Sequence, residues 1–180
     1  VVTIGVFDGV HRGHQELISR AVKAGRSRGI PTVLMTFDPH PMEVVFPGSH
    51  PAQLTTLTRR AELVEEMCID VFLVVPFTAD FMKLTPERYI HELLVERLHV
   101  VEVVVGENFT FGKKAAGNVE LLGKAGERFG FAVDSVSLVA EHHRHETVTF
   151  SSTYIRSFVD AGDMVAAADA LGRPHRVAGV

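Results

Sequence analysis

The sequence lacks several features that would place a protein outside the globular, single-domain class. Its one cysteine, Cys68, cannot form an internal disulfide; this fits a reducing cytoplasm, and we expect the side chain to be buried at a helix end. No run of about 18 uninterrupted apolar residues is present, so no membrane-spanning helix is expected. Long polar and low-complexity tracts are also absent, and 180 residues with 46% apolar content suffice for one well-packed domain.

An excess of charge of one sign is lacking too. The 18 basic and 22 acidic residues are mixed along the chain and give a formal net charge of −4. This balance excludes a general electrostatic surface for nucleic acid or for a membrane. Any site for an anionic ligand must therefore be local.

Apolar runs alternate with helical patterns along the chain. Strands are predicted at residues 1–6, 32–37, 71–75, 100–105 and 132–138, and helices at 14–23, 59–67, 86–98, 119–129, 154–161 and 164–171. Valine-rich runs separated by amphipathic helices predict a doubly wound, Rossmann-like α/β domain, with a parallel sheet of about five strands and helices on both faces. Such sheets bind ligands beyond the carboxyl ends of their strands, so the strand-to-helix turns are the candidate sites.

The first of these turns, TIGVFDGVHRGHQ, combines three glycines with two histidines. Gly5, Gly9 and Gly13 allow a tight turn and a close approach to a ligand. The helix that follows presents free N–H groups and the positive end of its dipole. His11 and His14 can donate hydrogen bonds to phosphate oxygens, and a phosphate beside them would raise their pKa. The turn therefore predicts a local anion site.

Several common motifs do not fit the sequence. The first turn lacks the glycine spacing of G-x-G-x-x-G, and the Walker pattern fails at residues 106–114, where the glycines stand one residue too far apart. The H-E-x-x-H motif of zinc hydrolases is also missing, and no nucleophile elbow of a serine hydrolase is expected. The histidines of EHHRHE, residues 141–146, are expected at an exposed hairpin tip, because the segment carries alternating charges and lies between the fifth predicted strand and the helix that starts in SSTYIR. A metal site is not favoured there, because no matching ligand set is spaced to complete it.

The stretch SSTYIR predicts a second helix start that can receive an anion. Ser151, Ser152 and Thr153 place hydroxyl groups where the helix begins, and Arg156 carries a guanidinium that can bind phosphate with two hydrogen bonds. By itself the stretch favours a capping cluster with a surface arginine. Two such helix starts can converge on one triphosphate at the switch point of a parallel sheet, so the pair favours a nucleotide site.

Two further loops follow the second and fourth predicted strands. In TFDPHP, Asp38 and His40 each precede a proline, which holds the segment extended and rigid. Phe37, His40 and Pro41 suit one wall of a flat apolar pocket, and a rigid turn with an incidental histidine is an equally good interpretation.

The loop GENFTFGKKAAGN is the second of the two. Its phenylalanines, Phe109 and Phe111, are more typical of core residues than of a ligand platform. Lys113 and Lys114 are expected to be solvated.

Four segments in this order, GVFDGVHRGH, TFDPHP, GENFTFG and SSTYIR, resemble the FMN adenylyltransferase part of bacterial FAD synthetases, within the H-x-G-H nucleotidyltransferase superfamily. The resemblance covers essentially the whole chain. It implies a nucleotidyltransferase fold and direct attack of the FMN phosphate on the α-phosphorus of ATP, giving FAD and pyrophosphate. Mg²⁺ is then expected to bind through the nucleotide phosphates and not in a cage of side chains.

The resemblance also implies the site residues. Catalysis is assigned to His11, His14, Ser152, Thr153 and Arg156. Contacts to the ATP phosphates are assigned to Gly5, Phe7, Asp8, Gly9, Gly13 and Ser151. Contacts to FMN are assigned to Phe37, His40, Pro41, Asn108, Phe109 and Phe111.

The domain organisation implied by the family is an adenylyltransferase domain over residues 1–172, followed by the start of a linker, residues 173–180, to a riboflavin kinase domain that this chain does not contain. ATP and FMN are the expected partners, and no binding of nucleic acid or of a membrane is expected. The expected location is the cytoplasm.

Two alternatives stay open: a sister enzyme acting on phosphopantetheine or nicotinamide mononucleotide, and a non-catalytic flavin or nucleotide sensor. The histidine pair and Arg156 argue against the sensor, because a protein that only binds gains little from donors aimed at a leaving group.

Overall fold

The computed structural model describes residues 1–48, 50–137, 140–143 and 146–177. In chain order its strands are β1 (Val2–Ile4), β2 (Val33–Asp38), β3 (Val71–Pro76), β4 (Glu102–Gly106), β5 (Thr110–Phe111), β6 (Gly117–Asn118), β7 (Ala132–Val136), β8 (Ala140–His143) and β9 (Glu146–Thr149). Its helices are α1 (Arg12–Arg28), α2 (Pro41–Val45), α3 (Leu57–Glu66), α4 (Pro86–Arg88, continued as a π-helix over Tyr89–Val95), α5 (Val119–Phe129), α6 (Ser152–Asp160) and α7 (Met164–Leu171). Short 3₁₀ turns occupy Phe81–Lys83 and Lys113–Ala115.

The central sheet has five parallel strands in the order β3-β2-β1-β4-β7. Val2 of the central strand β1 is paired with Val33 on one side and Val103 on the other. After β3 the chain crosses back to place β4 on the other side of β1. The strand order therefore reverses between β1 and β4, and the carboxyl ends of these two strands border the switch point.

Helices cover both faces of the sheet, and β4 shows how its side chains are shared between them. Val103 and Val105 pack in the core formed with α4 and α5, whereas Val104 packs with α1 on the opposite face. This is the period-two alternation of a strand buried on both sides. A third apolar cluster joins α6 and α7 to the loop before α3 through Leu54 and Ile155. The predicted fold class is confirmed.

Several local predictions differ from the structure. Cys68, expected to be buried, is exposed, because α3 ends just before it in a left-handed turn with φ of 65° at this residue. The helix α2 was not predicted; it begins at Pro41, and the Nδ1 atom of His40 caps it by accepting a hydrogen bond from the N–H of Met42 at 3.1 Å. The predicted helix at 86–98 is α-helical only in its first turn and continues as a π-helix.

The hairpin expected around EHHRHE agrees with the backbone that is described. Strands β8 and β9 pair antiparallel, with residue 143 opposite residue 146. Residues 138, 139, 144, 145 and 178–180 lie outside the described residues, as do the side chains of the histidine cluster. The β5-β6 pair, a second hairpin, was not predicted.

None of the helices in the described part of the chain is both long and apolar enough to cross a membrane.

Two glycines in α5 provide a matched test of the packing. A Cβ atom added at Gly126 would lie 2.4 Å from the carbonyl oxygen of Phe131, whereas one added at Gly123 meets nothing within 4 Å. We expect Gly126→Ala to lower the free energy of unfolding by about 1–3 kcal/mol through overpacking. Gly123→Ala should raise it by roughly 0.5–1 kcal/mol, because alanine loses less backbone entropy in a helix. Urea denaturation measures both; equal shifts would contradict the packing described for α5.

Candidate active site

A cavity of about 370 Å³ lies at the switch point. Ten of the residues predicted for the site line it: Gly5, Phe7, His11, Gly13, His14, Asn108, Phe109, Ser151, Ser152 and Thr153. It thus joins the first turn, the loop after β4 and the start of α6. A somewhat larger groove of about 420 Å³ between α4 and α5 contains none of the predicted residues. We place the site at the switch point because glycine backbone, imidazoles and hydroxyl groups converge there.

The first turn has an unusual backbone. Phe7, Gly9 and Val10 have positive φ angles of 53°, 80° and 42°. Glycine is required at position 9, where an added Cβ would also lie 2.9 Å from the side chain of Leu54. A positive φ is strained for Phe7 and especially for the β-branched Val10, and such strain persists only where the surroundings hold it.

Three side chains hold this strained turn. The hydroxyl of Thr55 accepts a hydrogen bond from the N–H of Gly9 at 3.0 Å. Gln15 and Arg173 donate to the carbonyl oxygen of Val10 at 2.9 and 3.0 Å, and Arg173 also donates to that of Gly9. Because each of these bonds ends on the backbone, they fix the path of the turn.

The two histidines stack at the start of α1. Their ring centroids are 3.6 Å apart with 20° between the planes, and the ring of Phe7 lies 5.0 Å from that of His14. His11 is the N-cap of α1, and its Nδ1 atom accepts a hydrogen bond from the N–H of His14 at 3.3 Å. The proton of a neutral His11 ring therefore lies on Nε2. The Nδ1 atom of His14 is buried and has no hydrogen-bond partner within the part of the chain that is described.

Burial keeps both imidazoles neutral. It lowers the pKa of His11 to about 4, against the opposing effect of Asp8, and Arg173 lowers it further. Burial also lowers the pKa of His14 well below its ordinary value, with His11 and Arg60 adding to the effect. The raised pKa predicted for His11 and His14 is therefore absent from the protein without a ligand. An anion beside the rings would raise their pKa, because it favours the charged form.

Asp8, predicted to contact phosphate, has its carboxylate committed to the protein. It is 1% exposed and does not line the cavity. Its oxygens accept hydrogen bonds from the N–H groups of Leu54 and Thr55 at 3.0 Å and from the Thr55 hydroxyl at 3.1 Å. Arg156 donates to it at 2.6 Å, and Arg60 lies 3.7 Å away.

Arg156 is likewise held away from the cavity lining. Besides its bond to Asp8, its Nε donates to the carbonyl oxygen of Ala52 at 2.6 Å. Of the five residues predicted to be catalytic, the structure brings the other four to the cavity and fixes this one beside it. Direct contact between Arg156 and a phosphate stays a prediction.

The start of α6 is bonded to the first turn. Ser151 caps the helix by accepting from the N–H of Tyr154 at 3.1 Å, and the hydroxyl of Ser152 donates to the carbonyl oxygen of Asp8 at 2.8 Å. Thr153 is exposed at the cavity. The starts of α1 and α6 therefore face one space, and each can present N–H groups to an anion.

The residues predicted for FMN form two groups. Asn108 and the half-buried Phe109 line the cavity. Phe111 packs in the core, where its ring contacts Tyr89 at a centroid distance of 5.1 Å. Phe111 therefore lies where the alternative interpretation, a core residue, would place it.

The other group, Phe37, His40 and Pro41, lies at the carboxyl end of β2 and does not line the cavity. An aromatic row connects the two groups, with neighbouring ring centroids 5.1–6.0 Å apart: Phe37, Phe77, Phe81, Tyr89, Phe111 and Phe109. The row gives the domain a continuous aromatic band from the end of β2 to the rim of the cavity.

Sequence reasoning missed two arginines. Arg60 is 3% exposed and lies beside Asp8, and Arg173 supports the first turn from the predicted linker. His175 also approaches the domain, with its Nε2 3.2 Å from the carbonyl oxygen of Leu54. No motif marks either arginine, because each acts through contacts with residues distant in sequence. The predicted boundary at residue 172 stays a prediction.

The described residues contain no group of three or more His, Cys, Asp or Glu side chains that could hold a metal ion.

A family model described as FAD synthetase matches residues 1–154. The chain belongs to the FAD synthetase family. The resemblance inferred from the four motifs is thus confirmed, and the stacked histidines, the cavity and the start of α6 are features of an FAD synthetase-family domain.

Named relatives agree with this membership. The chain is 37% identical over 179 residues to the bifunctional riboflavin kinase/FMN adenylyltransferase of Escherichia coli strain K12. It is 34% identical over 178 residues to the protein of the same name from Buchnera aphidicola subsp. Schizaphis graminum. Each match covers 99% of this chain and 56% of the relative, so the chain spans about half the length of the curated relatives it matches.

A solved structure shares the fold. The crystal structure of a protein from Streptococcus pneumoniae described as a macrolide-efflux protein has a TM-score of 0.84 and 28% sequence identity. The match covers 97% of this chain and 57% of that one. It supports the α/β architecture of this FAD synthetase-family chain.

The lowered pKa of His11 predicts how stability depends on pH. In the unfolded chain His11 takes up a proton near pH 6.5, whereas in the folded chain it does so only near pH 4. Acidification between these two values therefore favours unfolding. His11 should account for about 1–2 kcal/mol of stability lost between pH 7 and pH 5. His11→Asn, which retains a capping acceptor, should reduce the loss by that amount. Urea unfolding at several pH values measures it, and parallel pH profiles for variant and wild type would contradict the assignment.

Proposed function

We propose that this chain transfers the adenylyl group of ATP to the phosphate of FMN, forming FAD and pyrophosphate. One observation carries the proposal: the starts of α1 and α6 converge on a single cavity at the switch point of the sheet. Helix N-termini favour anions, and two of them at one cavity suit a chain of phosphates. The acceptor follows from family membership and from the relatives, which are named as FMN adenylyltransferases.

The reaction proposed is a direct in-line displacement. A phosphate oxygen of FMN forms a bond to the α-phosphorus of ATP, and the bond from that phosphorus to the bridging oxygen of the β-phosphate breaks. The bonding electrons leave with pyrophosphate, so no protein side chain becomes covalently modified. Such a reaction depends on positioning and on stabilisation of the charge that develops on phosphate oxygens.

The histidine pair suits this stabilisation. A neutral His11 carries its proton on Nε2 and can donate it in a hydrogen bond to a phosphate oxygen. An anion beside the rings raises their pKa, because it favours the charged form. Burial then makes the resulting charge interaction stronger than it would be in water. We assign the ATP phosphates to this pair, to the N–H groups at the two helix starts, and to Thr153.

We assign the flavin to the aromatic side of the cavity. Asn108 supplies a polar group and Phe109 an apolar face at the rim. Phe37, His40 and Pro41, at the other end of the aromatic row, are the proposed outer wall for the ring system. Aromatic faces favour offset stacking with another flat ring, which suits an isoalloxazine.

Mg²⁺ belongs to the proposal as a companion of ATP. The donors at the cavity are hydroxyls, imidazoles and backbone N–H groups, which suit phosphate oxygens better than they suit a hard cation. The metal would therefore be held by phosphates and water, where it neutralises phosphate charge.

The wider context is proposed on the same basis. Because the relatives are bifunctional and almost twice as long as this chain, we propose that a riboflavin kinase domain accompanies it and supplies FMN. A cytoplasmic location is the matching expectation.

The decisive assay offers the protein ATP and Mg²⁺ with one acceptor at a time: FMN, phosphopantetheine or nicotinamide mononucleotide. We expect FAD and pyrophosphate in equal amounts from FMN, and no adenylylated product from the other two. Chromatography of the flavins with a parallel pyrophosphate assay gives the answer. FMN binding without pyrophosphate would favour a sensor, and product from another acceptor would favour a sister enzyme.

His14→Ala tests the histidine pair. It removes the ring that stacks on His11 and should lower kcat by about 100-fold, the effect of removing one donor to developing charge. The affinity for FMN, measured by quenching of flavin fluorescence, should change by less than about threefold, because FMN is assigned to the other side of the cavity. His91→Ala is the control, since His91 is exposed on α4. Unchanged turnover in His14→Ala would remove the role assigned to this residue.

A further inference from the structure

We propose that Asp8 is a positioning residue that fixes the start of α6 against the start of α1, with the buried Arg60 as a second cation beside its carboxylate. The inference rests on the proposed function, because the distance between the two helix starts would determine how well their N–H groups bind the phosphates of ATP. It assigns Asp8 a role different from the phosphate contact predicted from the sequence.

The contacts made by Asp8 form a clamp. Its carbonyl oxygen accepts from the hydroxyl of Ser152, the first residue of α6, and its carboxylate accepts from Arg156, one turn further along the same helix. Residues four apart lie on one face of a helix, so Asp8 holds that face at two points. Three residues after Asp8, His11 caps α1. Asp8 therefore lies between the two helix starts and bonds directly to α6.

The loop before α3 completes the clamp. The Thr55 hydroxyl donates to the Asp8 carboxylate at 3.1 Å and accepts from the N–H of Gly9 at 3.0 Å, so it joins the carboxylate to the strained turn. The N–H groups of Leu54 and Thr55 add further bonds to the carboxylate. These bonds fix the orientation of the carboxylate as well as its position.

Arg60 makes the site unusual for a structural ion pair. Its guanidinium is buried but makes only long contacts: 3.7 Å to Asp8, 3.3 Å to the hydroxyl of Thr36 and 3.5 Å to the carbonyl oxygen of Thr55. Its Nε has no hydrogen-bond partner among the described residues. One carboxylate thus faces two arginines, Arg60 and Arg156, and Arg60 links it to the end of β2. Removing the carboxylate would leave both cations without it, which is costly at a buried position.

The functional consequence is the geometry of phosphate binding. Displacement of a helix start by about 1 Å can lower a rate by about 100-fold, because the reacting atoms lose alignment. Asp8 does not line the cavity, so its substitution acts on ATP through α6 and leaves the flavin side in place.

The test compares two buried carboxylates. Asp8→Asn breaks the clamp, whereas Glu102→Gln neutralises a buried carboxylate at the opposite end of the sheet, where Glu102 pairs with Arg28 at 2.6 Å. Both variants should lower the melting temperature. Asp8→Asn alone should lower kcat/KM for ATP, by about 100-fold, while its Kd for FMN stays within about threefold of wild type. Equal kcat/KM values in the two variants would overturn the proposal.

The Thr55 variants test the clamp without changing a charge. Thr55→Val removes the hydroxyl and should lower kcat/KM for ATP by about fivefold to tenfold, whereas Thr55→Ser retains it and should restore the wild-type value. This pair decides the question if Asp8→Asn does not fold. The Thr55 variants keep the charge of Asp8, which acts on the pKa of His11, so a change in kcat/KM would report the position of the clamp and not that charge. Wild-type values in both variants would overturn the proposal.

A failure of the proposed function has a different signature. The wild-type protein would then form no FAD from FMN and ATP. The clamp is still tested by calorimetric titration with ATP and Mg²⁺, in which Asp8→Asn should bind at least about tenfold more weakly than Glu102→Gln. Equal ATP affinities would overturn the clamp independently of the reaction.

Discussion

The site depends on one buried carboxylate. A charge removed from water is tolerated only when hydrogen bonds and counter-charges replace the water, and Asp8 obtains them from segments 46 and 148 residues further along the chain. The need to satisfy this group draws the loop before α3 and the start of α6 onto the first turn. Thr55, which also bonds to the Asp8 carboxylate, helps to hold the strained backbone from Phe7 to Val10. The hydrogen bonds of Asp8 therefore join three segments beside the cavity.

This arrangement separates fixed charges from the groups that face a ligand. Arg60 and Arg156 are held by Asp8, and the lowered pKa values of His11 and His14 keep their imidazoles neutral. The groups at the cavity are then neutral donors in fixed positions, and a bound anion itself changes the protonation of the rings. Such preorganised donors need little rearrangement when charge develops, which suits phosphoryl chemistry.

Much of the fold was predictable from local pattern. The valine runs specify strands buried on both faces, and the alternation of Val103, Val104 and Val105 between two helical layers follows from strand geometry alone. Local pattern did not signal the π-helix after Arg88, nor the exposure of Cys68, which has a left-handed backbone conformation after the end of α3.

For the site, the sequence by itself determined the residue types and their order: glycines and histidines before one helix, hydroxyls before another, and aromatic loops after two strands. These residue types are local requirements of turns, helix caps and phosphate binding, so short motifs contain them. The same motifs predict the family to which the chain belongs. Only the tertiary structure decided that Asp8 and Arg156 bind each other and that Phe111 belongs to the core. It also revealed Arg60 and Arg173, which no motif marks. The reason is physical: a charged side chain is satisfied by whichever partners the fold brings within about 3 Å, and sequence spacing does not specify them.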